Sequence, residues 1–203
     1  MSLLVNRLSR GAKMILLRHG QSTWNKENRF TGWTDVPLSN LGKEEARLAG
    51  ELIKKNNLSP AKVYTSVLSR SIHTANIVLE AMDLQYLPVE RHWRLNERHY
   101  GALQGLNKKE TADIHGEAQV KIWRRSFDIP PPSLLITDPR SPNFDKRYNL
   151  IPVSQLPLSE SLKSTAQRVM PFFNDRIFKD LLEEKDVIVV AHGNSLRAVI
   201  KEL

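Results

Sequence analysis

The sequence contains no cysteine. That excludes disulfide staples, thiolate nucleophiles and thiolate metal ligands, and it fits work in the reducing cytoplasm. Glycine is scarce, nine residues in 203, and none of the glycines builds a phosphate-cradling P-loop. No apolar run approaches the ~20 residues that span a bilayer. The apolar stretch within Met1–Arg10 is too short for a secretory core, so no membrane partner is expected. No His, Asp or Glu cluster has metal-ligand spacing, so no metal is expected. Acidic residues number 22 against 30 basic ones, a formal charge of +8. Such an excess either coats a nucleic-acid-binding face or is focused in a cleft for small anions. The basic runs stop at pairs such as Lys54-Lys55, Lys108-Lys109 and Arg124-Arg125. Without longer runs, zinc-ligand spacing or aromatic–basic signatures, nucleic acid is not the expected partner.

What the sequence does have is one ending used twice. Met14-Ile-Leu-Leu-Arg-His19-Gly20 and Val187-Ile-Val-Val-Ala-His192-Gly193 are both apolar strands running into His-Gly. In an open parallel α/β sheet, ligands bind beyond the carboxyl ends of the strands. The pair therefore predicts one sheet edge carrying two imidazoles, with Arg18 beside the first.

The intervening chain supports that frame. Ser39 reads as an N-cap with Glu44 and Glu45 in the first turn, Leu41, Leu48 and Leu52 on one face, and Lys54-Lys55 at the end. Residues 61–65 and 87–90 read as strands, with a helix between them carrying Leu68, Ile72, Ala75, Leu79 and Met82. The βαβαβ order predicts parallel strands with right-handed crossovers. From 96 to 148 the alternation stops. Helices at 107–115 and 117–127 precede a proline-rich stretch, and the segment reads as an insertion over the sheet edge. A long helix follows, capped by Ser159, with Leu162, Ala166, Val169, Phe173, Ile177 and Leu181 as its stripe and a kink or split at Pro171. A strand at 187–191 and a helix at 194–203 close the chain. The expected architecture is a three-layer α/β sandwich with a mostly parallel central sheet.

His19 is the candidate nucleophile, because a neutral imidazole can attack phosphorus and leave again near neutral pH. The alternative is a strand-end histidine satisfied by a backbone carbonyl. Arg18 and Gly20 favour the first reading, through bidentate grip and close backbone approach. His192 opens a helix at Gly193-Asn194, where free N–H groups would hold an anion. Arg70 stands in a first helical turn, unfavourable toward the helix dipole unless an anion is near; a solvated surface arginine is the alternative. Glu97 follows the third strand and could move a substrate proton, although a lone glutamate is a weak signal.

Leu17-Arg18-His19-Gly20, Ser22, Trp24-Asn25, Phe30-Thr31-Gly32-Trp33, Asp35, Leu38-Ser39 and Tyr64-Thr65-Ser66 with Arg70 form an ordered set. It continues through Leu95-Asn96-Glu97-Arg98-His99-Tyr100-Gly101, Gln104–Lys108, Trp123-Arg124-Arg125, Pro157–Leu162 and Ala191–Arg197. The set resembles the histidine phosphatase superfamily, and within it the 2,3-bisphosphoglycerate-dependent phosphoglycerate mutases. The likeness runs over residues 14–203, implying one domain there and an extension at 1–13 without an assigned role. It implies that His19 is the phosphohistidine nucleophile, Glu97 the acid/base, and Arg18, Arg70 and His192 the stabilisers of the transferring group. It implies that Ser22, Asn25, Thr31, Gly32, Gly193 and Asn194 contact phosphate or substrate. Tyr100, Lys108, Arg124 and Arg125, from the insertion, would hold the carboxylate and second charge of a small phosphorylated carboxylate. The implied activity is interconversion of 3- and 2-phosphoglycerate, primed by 2,3-bisphosphoglycerate and without a metal.

Longer mutases continue past the region of 187–203 with a strand and a covering tail. Here 11 residues follow His192, so the resemblance implies a pocket where water competes for the phosphohistidine. A phosphatase of bisphosphoglycerate or another phosphometabolite is therefore the second reading, and a non-catalytic binding protein the third. The family's habit implies a homodimer or homotetramer. Strand 58–65 and helix 159–182 offer apolar surface that core burial explains equally well.

Overall fold

Alternation along two strands decides the layering. In β2 (Lys13–Arg18) and β5 (Val187–Ala191), Met14, Leu16, Val187, Val189 and Ala191 enter one apolar cluster, while Ile15, Leu17, Ile188 and Val190 enter another. Successive side chains point to opposite faces of a sheet, so strands apolar at every position need helices on both sides. The computed structural model, which describes the backbone of residues 3–7 and all of 11–203, has that arrangement. On one side lie α2 (Asn40–Lys55) and α3 (Ser69–Ala81), contributing Ala49, Ile53, Ala75, Val78 and Leu79. On the other lie α6 (Leu162–Phe172), α7 (Phe178–Leu182) and α8 (Gly193–Glu202), with Val169, Phe172, Leu181, Leu196 and Val199. Each such Val, Leu, Ile, Met or Phe side chain contributes roughly 1.5–3 kcal/mol by leaving water.

The sheet order is β1-β2-β5-β3-β4, where β1 is Leu3–Arg7, β3 Lys62–Thr65 and β4 Val89–Arg91. Four strands are parallel; β1 pairs antiparallel with β2. The sequence pattern predicts no element before residue 14, so this edge strand is an addition to the expected sheet. β2 and β5 are direct neighbours with Arg18 opposite Ala191. The ladder runs one step further, since His19 N–H donates to the Ala191 carbonyl at 3.0 Å.

Helix detail departs from the pattern in three places. Ser39 caps α2 as expected, donated to by Gly42 N–H at 3.1 Å. However, α2 has no acidic residue in its first turn, and Leu41, Leu48 and Leu52 are 55, 51 and 46% exposed. The buried face is Gly42, Ala46, Ala49, Gly50 and Ile53. Small residues let α2 approach α3 closely: a Cβ on Gly50 would sit 2.7 Å from Ala81 Cβ and 2.8 Å from the Val78 carbonyl. The long helix is capped by Ser161, paired with Ser164 in a capping box, while Ser159 donates to the Pro131 carbonyl at 2.7 Å. Its predicted stripe is buried throughout. After Pro171 it passes through a π-helical turn, Phe173–Ile177, before resuming as α7. The ring removes a ladder donor and the wider turn absorbs the loss.

The insertion folds as α4 (Lys108–His115), α5 (Glu117–Arg125) and a largely irregular stretch that contains short 3₁₀ turns. Among the described residues no helix is long and apolar enough to cross a membrane.

Candidate active site

Parallel β2, β3, β4 and β5 all end at the same sheet edge, so the segments that follow them meet there. Behind β2 comes His19, behind β5 His192, behind β3 Arg70 on the first turn of α3, and behind β4 the turn carrying Glu97. The helices α4 and α5 close the space from above. A cavity of about 400 Å³ results. It is lined by Arg18, His19, Asn25, Thr31, Gly32, Arg70, Glu97, Tyr100, Lys108, Arg124, Arg125, Gly193 and Asn194. Of the predicted site residues, only Ser22 and His192 are not among its walls. Ser22 is buried and caps α1 (Thr23–Lys26), accepting from Asn25 N–H at 3.1 Å. It orients Asn25 rather than facing the cavity. His192 stands just behind His19, ring centroids 4.9 Å apart.

His19 is held in one orientation. Its Nδ1 is 2.6 Å from the Gly20 carbonyl, which can only accept, so Nδ1 carries the hydrogen and Nε2 keeps a lone pair. Burial, chiefly, and then the charges of Arg70 and Arg18 push its pKa well below the ordinary histidine value, against the pull of the Gly20 bond. The imidazole is therefore neutral near pH 7, as an attacking nitrogen must be. Gly20 is required by packing: a Cβ there would run into the Gly42 carbonyl of α2.

His192 is likewise neutral, its pKa lowered first by burial and then by Arg70. Its Nε2 lies 2.8 Å from Ser66 Oγ. Arg70, 1% exposed, donates to the carbonyls of Gly32 at 2.8 Å and Thr34 at 3.0 Å. Burial lowers even this guanidinium to about 10, with Glu97 and Asp35 opposing. Lys108 is also lowered, by burial and then by Arg124 and Arg18. These shifts share a cause: cations crowded in a partly dry cleft with too few carboxylates. Among the described residues Glu97 is the cleft's single acidic side chain. Its Oε1 accepts from Arg98 N–H at 2.8 Å and from Asn194 N–H at 3.1 Å. The first turn of α8 thus spends one N–H on a protein carboxylate, which corrects the expectation of free donors there. Thr31 adds a buried hydroxyl oxygen with no partner among the described residues. A cationic cleft with an orphaned polar atom beside a neutral imidazole is built to take a small polyanion and to exchange a phosphoryl group.

Arg29 is a wall residue that sequence reasoning misses altogether, while Phe30 and Arg197, also in the walls, stand in the ordered sequence set without a site role. Arg29 sits 4.4 Å over the Trp24 ring and donates to the Gly105 carbonyl at 2.7 Å. Arg197 lies one turn into α8, where the periodicity of the helix would have placed it on the face of Asn194. Among the described residues no group of three or more His, Asp or Glu could hold a metal ion.

The model of the histidine phosphatase superfamily (branch 1) matches residues 14–203. The chain belongs to this superfamily. It is 56% identical over 191 residues to a 2,3-bisphosphoglycerate-dependent phosphoglycerate mutase of Porphyromonas gingivalis, covering 94% of this chain and 77% of that one. The figures are the same for the protein of that name from Bacteroides fragilis. Among solved structures, a phosphoglycerate mutase from Bacillus anthracis superposes with a TM-score of 0.69 at 23% identity, over 95% of this chain and 79% of the other. A mycobacterial glucosyl-3-phosphoglycerate phosphatase gives 0.68 at 25%, over 92% and 78%. These neighbours thus share one scaffold while their names divide between a mutase and a phosphatase.

Proposed function

We propose that this chain interconverts 3-phosphoglycerate and 2-phosphoglycerate by passing a phosphoryl group through His19. The observation that carries the reading is the 2.6 Å bond from His19 Nδ1 to the Gly20 carbonyl, which leaves the Nε2 lone pair facing a cleft of cations. The name shared by relatives at 56% identity supports the substrate.

In this reading Nε2 of His19 forms a bond to phosphorus as the bond from phosphorus to the sugar-acid oxygen breaks. Glu97 hands its proton to that departing oxygen. When the loaded His19 passes its phosphoryl group to the free hydroxyl of an incoming monophosphoglycerate, Glu97 withdraws that hydroxyl's proton. The isomer is released when the other phosphoryl group returns to His19. Arg18 and Arg70 neutralise the transferring oxygens, with Asn25, Thr31, Gly32 and the start of α8 at Gly193-Asn194 around them. Tyr100, Lys108, Arg124 and Arg125, the part contributed by residues 96–148, hold the carboxylate and the second phosphoryl group. The basic excess of the walls and the unpartnered Thr31 hydroxyl fit a doubly phosphorylated primer. 2,3-Bisphosphoglycerate supplies the phosphoryl group that first loads His19. The cysteine-free composition suits a cytoplasmic metabolic enzyme.

A mutase assay with and without 2,3-bisphosphoglycerate tests this, with inorganic phosphate release measured in parallel. Isomer exchange that needs the primer and is abolished by His19→Ala is expected. Phosphate release in large excess over exchange would favour a phosphatase instead, and exchange surviving in His19→Ala would remove His19 from the chemistry.

A further inference from the structure

Among the described residues Glu97 is the only carboxylate in the cleft, and its own turn is irregular chain. What holds that turn lies behind it. Arg168 on α6 donates from Nη1 to the Arg94 carbonyl at 2.6 Å, and from Nη2 to the carbonyls of Asn96 at 3.2 Å and Glu97 at 3.1 Å. The same guanidinium forks onto Glu160, Nε to Oε1 at 2.6 Å and Nη2 to Oε2 at 2.8 Å. Glu160 then grips the far side of the turn: its Oε2 accepts from His99 N–H, and its N–H donates to the His99 carbonyl, each at 2.8 Å. The pair thereby ties the chain immediately before Glu97 and immediately after it. Trp33 Nε1 adds a second donor to the Glu97 carbonyl at 2.6 Å.

Both members of the ion pair are buried, and neither lines the cavity. An isolated buried ion pair is weak evidence for stability, since apolar residues of similar volume often serve as well. Apolar residues could not donate to the three carbonyls of Arg94, Asn96 and Glu97. Lysine could not either, because it lacks the planar fork. We propose that Arg168 and Glu160 are positioning residues, which set the carboxylate of Glu97 at the distance where it exchanges a proton with the substrate oxygen. The proposal rests on the phosphoryl-transfer reading above and adds to it the device that aims the acid/base.

A test compares two phosphoryl donors with different needs for a proton. An alkoxide leaving from 2,3-bisphosphoglycerate must be protonated; the phenolate leaving from p-nitrophenyl phosphate need not be. Rapid-quench measurement of His19 phosphorylation in Arg168→Lys and Glu160→Gln should show loading from 2,3-bisphosphoglycerate slowed about 10–100-fold. Loading from p-nitrophenyl phosphate should stay within about threefold, because Glu97 has no part in it. Adding Arg168→Lys to Glu97→Gln should cost little further, since residues that act through one another are not additive. Trp33→Phe supplies the same comparison if the ion-pair variants do not fold. An equal fall with both donors, no fall with either, or a full additional loss in the double variant would overturn the proposal. Absence of His19 phosphorylation in the unsubstituted chain would remove the functional reading itself and the proposal with it.

Discussion

His19 and His192 stand edge to face, ring centroids 4.9 Å apart and interplanar angle 62°, because the strands that deliver them are hydrogen-bonded neighbours. Both are neutral near pH 7, so they can differ in task. Replacing His19 with Gln should abolish an acid-labile phosphoenzyme. Replacing His192 with Ala should keep the phosphoenzyme detectable while lowering kcat by about 10²–10³-fold, the usual loss for one transition-state donor. Equal loss of phosphoenzyme in both variants would show that the two tasks are not separate.

Acid should destabilise the fold through these same groups. His19, His192 and His99 are buried with lowered pKa values, His99 to about 3, each chiefly by burial. In the unfolded chain they titrate near the ordinary value of about 6.5. Below that pH the unfolded chain binds more protons than the native one, so stability falls as pH falls and is intact above it. Each such histidine contributes a slope of about 1.4 kcal/mol per pH unit. Urea melts between pH 7 and 5 should show a decline that begins near pH 6.5. Stability flat across that range would contradict the burial.

The far end of the cleft should govern affinity. Lys108→Met or Arg125→Gln removes a charged donor worth roughly 1.5–3 kcal/mol to a paired anion. The KM for phosphoglycerate should rise by about 10–100-fold, with turnover of p-nitrophenyl phosphate, which lacks a carboxylate, changed far less. Steady-state kinetics on both substrates decides this.

Gly20 and α2 meet without room for a methyl group. Gly20→Ala should cost about 1–3 kcal/mol of stability through overpacking, read as a lowered urea midpoint, and activity should fall with it as the His19 backbone shifts.

On α2 itself, Leu48→Lys and Leu52→Lys should change stability by no more than about 0.5 kcal/mol. Ile53→Ala on the buried face should cost about 2–5 kcal/mol. The opposite ranking would restore the leucine face to the core.

That helix shows where sequence pattern reaches its limit. Leucines at 41, 48 and 52 and small residues at 42, 46, 49 and 50 both recur with helical spacing, and size alone points to the leucines. The decision belongs to a neighbour: α3 lies so close at Gly50 that no side chain fits there. The two His-Gly endings were legible because a fully apolar strand has few places to go and its end must reach an edge. Arg70 and Glu97 were legible from the same rule. Arg29 was not, since a single arginine in a loop has no periodicity to betray it. Ser22 was read as a ligand because a serine near a phosphate motif serves equally as cap or contact. Ser159 and Ser161 differ as caps only in which one the backbone turns at.

The pairing of β2 with β5 also governs how the protein comes into being. A ribosome releases the first histidine well before its partner strand, which lies roughly 170 residues further along. Bringing the two together closes a loop of roughly 170 residues, about 4–5 kcal/mol of chain entropy met only once both strands exist. Until that moment no nascent segment holds a cleft, so nothing half-made can bind or waste a phosphorylated metabolite. Catalytic competence then waits on that pairing, and its recovery during refolding would time the docking of the central strand.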